Sequence, residues 1–227
     1  MDLLDFARGP ALAVALAVFV AGTAWRLAGV LRLPRTRDLS AARDGAPSRF
    51  AAAWHANLRA MWPRREFAPS ARFVALNGYL FHVGLALVFF GYAPHIAFVR
   101  RLTGLSWPAL PDYVMYLAAA ATIVSLLVAL GMRFGDAVRK RISTADDLVA
   151  GAVTFLPLLT GMAVTMEPSS TVLAREVVLY RTPLAVHLLS VELLLLWFPF
   201  GKLMHAVLFV FSRTATGARF ARRGVRL

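Results

Sequence analysis

The stretch HLLSVELLLLWFPFGKLMH, residues 187–205, carries a histidine at each end and is otherwise almost wholly apolar. It sits inside a longer apolar run, 183–211, and a membrane-crossing helix needs about 20 such residues. Eighteen residues at about 100° each amount to five whole turns. A continuous helix therefore places His187 and His205 on one face, roughly 27 Å apart along the axis.

The rest of the chain repeats this pattern. Of 227 residues, 59% are hydrophobic and only 16% charged, yet the formal net charge is +13. That balance is too apolar for an ordinary soluble domain. Besides 183–211, the runs 11–31, 73–99, 113–132 and 148–166 are long enough to cross. The expectation is an all-α integral membrane bundle of five helices, forming a single domain over 1–227. A basic chain can signal nucleic-acid binding. Here the charges lie between apolar runs rather than on one soluble face, so the expected partner is the membrane and no nucleic acid. The chain has no cysteine, which excludes disulfides, zinc–thiolate sites and iron–sulfur clusters on it.

Charge placement sets the expected topology. Segment 32–72 holds nine arginines, and 212–227 holds five. Segment 133–147 adds Arg133, Arg139, Lys140 and Arg141, whereas the alternate ends hold only Arg8, Arg100, Arg101, Arg175 and Arg181. By the positive-inside rule the N-terminus lies outside and the C-terminus in the cytoplasm, in the cytoplasmic membrane. Asp2 and Asp5 precede the first run, which lacks the positive region of a signal peptide and reads as a retained helix. Within 32–72, Phe50, Trp54, Leu58 and Met61 recur at helical spacing after a candidate N-cap, Ser48. This reads as an amphipathic helix on the membrane surface or a docking surface for a partner, with His55 solvated.

The second run holds His82 and His95. It is antiparallel to the fifth, so His82 pairs in depth with His205, and His95 with His187. Facing imidazoles on two helices suit axial ligation of a haem iron. Without cysteine there is no covalent attachment motif, so the expected cofactor is haem b, two per chain, with one per chain as the competing outcome. Pro94 pushes Ala93 out of α geometry and frees His95 to turn inward. Gly84, Gly91 and Gly161 offer either close approach of a flat ring or ordinary helix packing. Arg100, Arg101, Arg133 and the Arg139–Arg141 cluster suit propionates or membrane edges equally. Glu192, inside an apolar run, is either a proton site or a structural hydrogen-bonder.

These motifs resemble a known family. The stretch 187–205, with FPF before its second histidine, resembles the last helix of the gamma subunit (cytochrome b) of respiratory nitrate reductase. FHVGLALVFFG resembles that subunit's second helix, and VRKRISTADDLV its link into the fourth; together the likeness spans roughly 77–210. The superfamily includes the membrane cytochromes of sulfite-reductase-associated and heterodisulfide-reductase-like complexes. The resemblance implies a dihaem cytochrome b that oxidises quinol from the quinone pool near the outer face. Electrons pass to a cytoplasmic iron–sulfur or molybdenum subunit of an oxidoreductase complex. His82 and His205 then hold the inner haem and His187 the outer one. Tyr92 stands where the family has its second histidine, and His95 follows three residues later. Tyr92, Asp112 and Tyr113 are the quinol-site candidates, and Gly84, Gly161 and Arg139 the further cofactor contacts. The reading from another class is a cofactor-free transporter or membrane anchor, which would be colourless. Reporter fusions at Leu227 and near Ala46 should both report the cytoplasm; fusions on opposite sides would remove the five-span count.

Overall fold

The computed structural model describes residues 2–34, 41–166 and 181–225. Arg175 and Leu227 lie outside them. Every regular element among the described residues is a helix, as a lipid-embedded backbone requires: only intra-helical bonds satisfy its polar groups without water. The helices are α1 (Leu3–Arg32), α2 (Arg49–Arg59), α3 (Ala68–Gly91), α4 (Ala93–Thr103), α5 (Asp112–Gly135), α6 (Ala137–Ile142), α7 (Ala145–Met166), α8 (Arg181–Trp197) and α9 (His205–Arg222). α1, α3, α5 and α7 are each long and apolar enough to cross a membrane, and the broken pair formed by α8 and Lys202–Arg222 makes a fifth if it counts as one span. The chain is thus an all-helical, multi-pass membrane protein.

Its apolar side chains point outward. Val20, Trp25, Val83 and Leu117 are each more than half exposed. In water such a surface would aggregate; in lipid it is the solvated face.

Two runs break where the sequence reads as continuous. The run 73–99 divides at Tyr92, whose backbone is extended (φ −82°, ψ 127°). Pro94 is the physical cause, but the break falls one residue earlier than its direct effect on Ala93 suggests. Ala93 opens α4 and Pro94 sits in its first turn, where a missing N–H costs nothing. The run 183–211 divides after Trp197. Residues 198–200 form a turn, Gly201 is extended and Lys202–Met204 is a single 3₁₀ turn before α9. The five-turn phase relation between His187 and His205 therefore does not apply.

The chain forms two compact units, Met1–Val18 with Phe73–Trp197, and Phe19–Arg72 with Phe198–Leu227. No composition shift marks the boundaries at 18/19 and 72/73, because both fall inside apolar helices. In the first unit, Leu4 and Ala7 of α1 pack on Ala185 of α8, with Leu184, Leu188 and Leu189 around them. Arg181 ties the same ends together, bonding Asp2 through Nε (2.7 Å) and Asp5 through Nη2 (3.1 Å). α3 and α5 meet through small and polar residues. A Cβ on Gly84 would collide with Thr122 Oγ1. One helical repeat on, Ser125 Oγ donates to Asn77 O (2.7 Å), and Asn77 Nδ2 donates back to Ser125 O (3.0 Å). Arg133 pairs with Asp147 at 3.1 Å, and Trp197 Nε1 donates to Asp146 at 3.1 Å.

In the second unit, α2 runs as its spacing predicts, with the Ser48 hydroxyl accepting from Ala51 N at 3.2 Å. It seats Ala52 and Ala56 on α9, where Gly217 is the opposing residue: a Cβ there would overlap Ala56 and come within 3.0 Å of Ala52 O. Asn57 Nδ2 donates to Thr214 Oγ1 at 3.1 Å. Phe50, Trp54, Leu58 and Met61 remain exposed. His55 is exposed too.

Two outcomes follow. Gly84→Val should destabilise the protein by about 1–3 kcal/mol through overpacking, read as a lower melting temperature in detergent. Adding Thr122→Ala should recover part of the loss, and purely additive effects would place Gly84 elsewhere. The backbone N–H of Asp5, and then the Arg181 guanidinium, hold the Asp2 carboxyl below its ordinary range. A lowered carboxyl pKa stabilises the fold above the unfolded value, about 4, and that contribution fades as pH falls through the lowered one. Asp2→Asn should thus melt slightly earlier than the native chain at pH 6, the difference vanishing near pH 2.

Candidate functional site

The break at Tyr92 creates a binding position for a histidine. When α3 stops, its last carbonyls lose their helical partners. His95 Nδ1 lies 3.0 Å from Val88 O. Trp107 Nε1 donates to Phe90 O at 2.5 Å, and Leu110 N to Gly91 O at 2.9 Å. Two of the orphaned acceptors, Phe90 O and Gly91 O, are thus taken by the loop that follows α4, and His95 adds a bond at Val88 O in the turn before them. Gly104, at φ +80°, ends α4 and lets that loop turn back.

Across from it, α8 presents His187. The His95 and His187 rings lie 6.3 Å apart, centre to centre, and 19° from parallel. His187 Nδ1 is 3.1 Å from Thr160 Oγ1 of α7, which itself donates to Leu156 O at 2.7 Å. Thr160 also meets Ser190 Oγ at 2.9 Å, and Ser190 donates to His187 O at 2.6 Å.

A carbonyl partner fixes a histidine's tautomer. A carbonyl can only accept, so His95 Nδ1 carries the proton and its lone pair sits on Nε2. The single Thr160 proton has acceptors at Leu156 O and Ser190 Oγ as well as His187 Nδ1, so the direction of the Thr160–His187 bond follows the tautomer of His187. His82 Nδ1 lies 2.7 Å from Gly78 O, and in the second unit His205 Nδ1 lies 2.8 Å from Lys202 O. His82, His95 and His205 are therefore held as Nδ1–H imidazoles. Metal-ligating histidines usually donate their other ring N–H to a backbone carbonyl in this way, and the same bond also satisfies a histidine locally. His82 and His205 are exposed, whereas His95 and His187 are half-buried.

Gly161 faces His187: a Cβ there would lie 3.1 Å from the imidazole Cε1. The space at Gly84 is filled by Thr122, and that at Gly91 by Leu110 and Met115. These glycines are thus faced by side chains of neighbouring segments and by an imidazole. Arg139 lies on α6, its Nε 3.9 Å from Asp136, whose other oxygen caps that helix. Tyr92 stands edge-on to His95, ring centres 5.3 Å apart. Asp112 and Tyr116 are near enough to act on its phenol electrostatically. Tyr113 is exposed. An apolar cleft of about 470 Å³ lies beside the break, lined by Val83, Leu87, Phe90, Trp107 and Leu110 among others. Glu192 is buried, with its Oε1 unpartnered among the described residues.

Sequence reasoning missed Thr160 and Ser190. The one visible signal was Ser190 following His187 by three residues, one turn along the same face. No cluster of three or more His, Cys, Asp or Glu side chains suited to a metal ion occurs among the described residues.

The fold and this site define a multi-pass helical membrane protein with two imidazoles opposed where a crossing helix breaks. A protein of Nitratidesulfovibrio vulgaris (strain Hildenborough) is 30% identical to it over 149 residues, 66% of this chain and 62% of that one. The chain thus spans less than two thirds of this relative's length. No protein-family model and no solved structure matches.

Proposed function

We propose that this chain is the haem b membrane subunit of a quinol-oxidising complex in the cytoplasmic membrane, with five crossings and its C-terminus inside. The observation that carries the reading is the His95–His187 pair. The two rings come from different elements and lie 6.3 Å apart, centre to centre, and neutral imidazole is a common ligand of haem iron. His95 Nδ1 donates to Val88 O, which leaves its Nε2 lone pair as the one that could bind a metal. The donor set fits haem iron. His95 and His187 would hold one haem, which supplies one-electron redox chemistry when bound, and the resemblance implies a second haem on the chain. The alternating basic segments and the resemblance of 187–205 to the cytochrome b of nitrate reductase support the same reading.

The chain's own residues have distinct tasks. Thr160, held by Leu156, orients the His187 ring. Val88 does the same for His95, an arrangement that exists because Tyr92 ends α3. Oxidation of a quinol to a quinone releases two electrons and two protons. The apolar cleft suits its ring and tail, and Tyr92, backed by Asp112, suits its hydroxyl. With no cysteine here, the electrons leave to an iron–sulfur or molybdenum subunit.

The test is spectroscopic. The purified chain should show a Soret band, release all its haem into acid acetone, and give a pyridine haemochrome ratio near two per chain. His187→Ala and His95→Ala should each lower that ratio to about one and abolish reduction by quinol. A colourless protein supports the anchor or transporter reading. Two haems retained in the His95→Ala variant would overturn the pairing.

A further inference from the structure

We propose that the second unit carries a binding site for a phosphate group, formed where α2 and α9 diverge, independently of the haem reading. A cavity of about 180 Å³ opens just past the Ala56–Gly217 contact. Its lining includes three arginines, Arg59, Arg64 and Arg213, together with Ser212, Thr216 and Trp62, and the Arg213 guanidinium also lies over the Phe209 ring, 5.2 Å from its centre. Guanidinium forks and hydroxyls are the donors that phosphate oxygens accept from, and the arginine fork matches phosphate geometry.

Charge balance points to an anion. Among the described residues of this unit, two carboxylates, Asp44 and Glu66, stand against twelve arginines and Lys202. Arg59, Arg64 and Arg213 form no ion pair with a carboxylate among the described residues. Three cations gathered around one cavity repel one another, and an anion removes that repulsion. The C-terminal end of α2 opposes an anion there, but with about half an elementary charge against three whole ones.

The surroundings place this cavity at a lipid surface. The Phe50–Trp54–Leu58–Met61 stripe projects away from α9, and Trp62 and Phe67 beyond it are also more than half exposed. Such a stripe buries itself just below the headgroup level. The cavity at its end then meets the depth where lipid phosphates lie. The site is thus built for the phosphate of an anionic phospholipid or for the same group free in solution.

Native mass spectrometry of the full chain released from detergent distinguishes the two sources. The probes are dioctanoyl phosphatidylglycerol, dioctanoyl phosphatidylcholine and inorganic phosphate. We expect saturable retention of phosphatidylglycerol over phosphatidylcholine. Each of Arg59→Gln, Arg64→Gln and Arg213→Gln should weaken it roughly five-fold, and the triple variant roughly a hundredfold. An equal charge loss elsewhere, Arg26→Gln with Arg32→Gln and Arg72→Gln, should change it less than threefold. Arg64→Gln lies outside the helices and serves as the variant least able to perturb folding. Retention that inorganic phosphate cannot displace assigns the site to lipid, and displacement by it assigns the site to free phosphate. No saturable binding of any probe, equal weakening in the control triple, or displacement by hexaglutamate as effective as by phosphate would overturn the proposal.

Discussion

Everything in this protein is arranged around one requirement: a backbone surrounded by hydrocarbon must satisfy its own hydrogen bonds. The four long apolar helices meet it by being continuous. The two interruptions, at Tyr92 and after Trp197, are where it is hardest to meet, and both lie close to histidines. At Tyr92 the freed carbonyls of Phe90 and Gly91 find replacement donors in Trp107 and Leu110. His95 bonds Val88 O in the turn just before them.

Because apolar surface gains little by burial against apolar lipid, the helices cohere through other means. α3 and α5 approach through Gly84 against Thr122 and exchange hydrogen bonds through Asn77 and Ser125. α7 and α8 do so through Thr160 and Ser190, which also reach His187. The hydroxyl that fastens one helix to its neighbour thus also bonds the imidazole between them. The second unit works differently: Ala52, Ala56 and Gly217 bring α2 against α9 by lacking bulk, and the arginines are displaced to the rim.

The all-helical character and four of the five expected apolar spans were legible in the sequence, since both depend on run length alone, whereas the fifth is a pair of helices bent by 77°. The α2 helix was legible because Ser48 and a four-residue apolar repeat announce it. The closeness of His95 to His187 was anticipated from depth and from Pro94. The break after Trp197 was not, because FPFG inside an apolar run looks continuous on composition, although Pro199 and Gly201, two residues apart, are each breakers of regular structure. Gly84 and Gly161 show another limit. A glycine marks a place where something comes close, but only the fold identifies the neighbour, here Thr122 in one case and His187 in the other. Thr160 was invisible for a related reason: a hydroxyl acquires its task from a residue 27 positions away.

The interruption at 198–201 has a consequence for how this chain tolerates change. In an unbroken helix, one inserted residue rotates everything beyond it by about 100°, so the length between two functional positions is held rigidly. Here the turn and the extended Gly201 absorb such a shift. The eighteen-residue interval separating His187 from His205 is therefore a sum of two independently adjustable parts. Length variation among related chains has a natural place to accumulate in that turn, leaving the angular phase of α8 undisturbed.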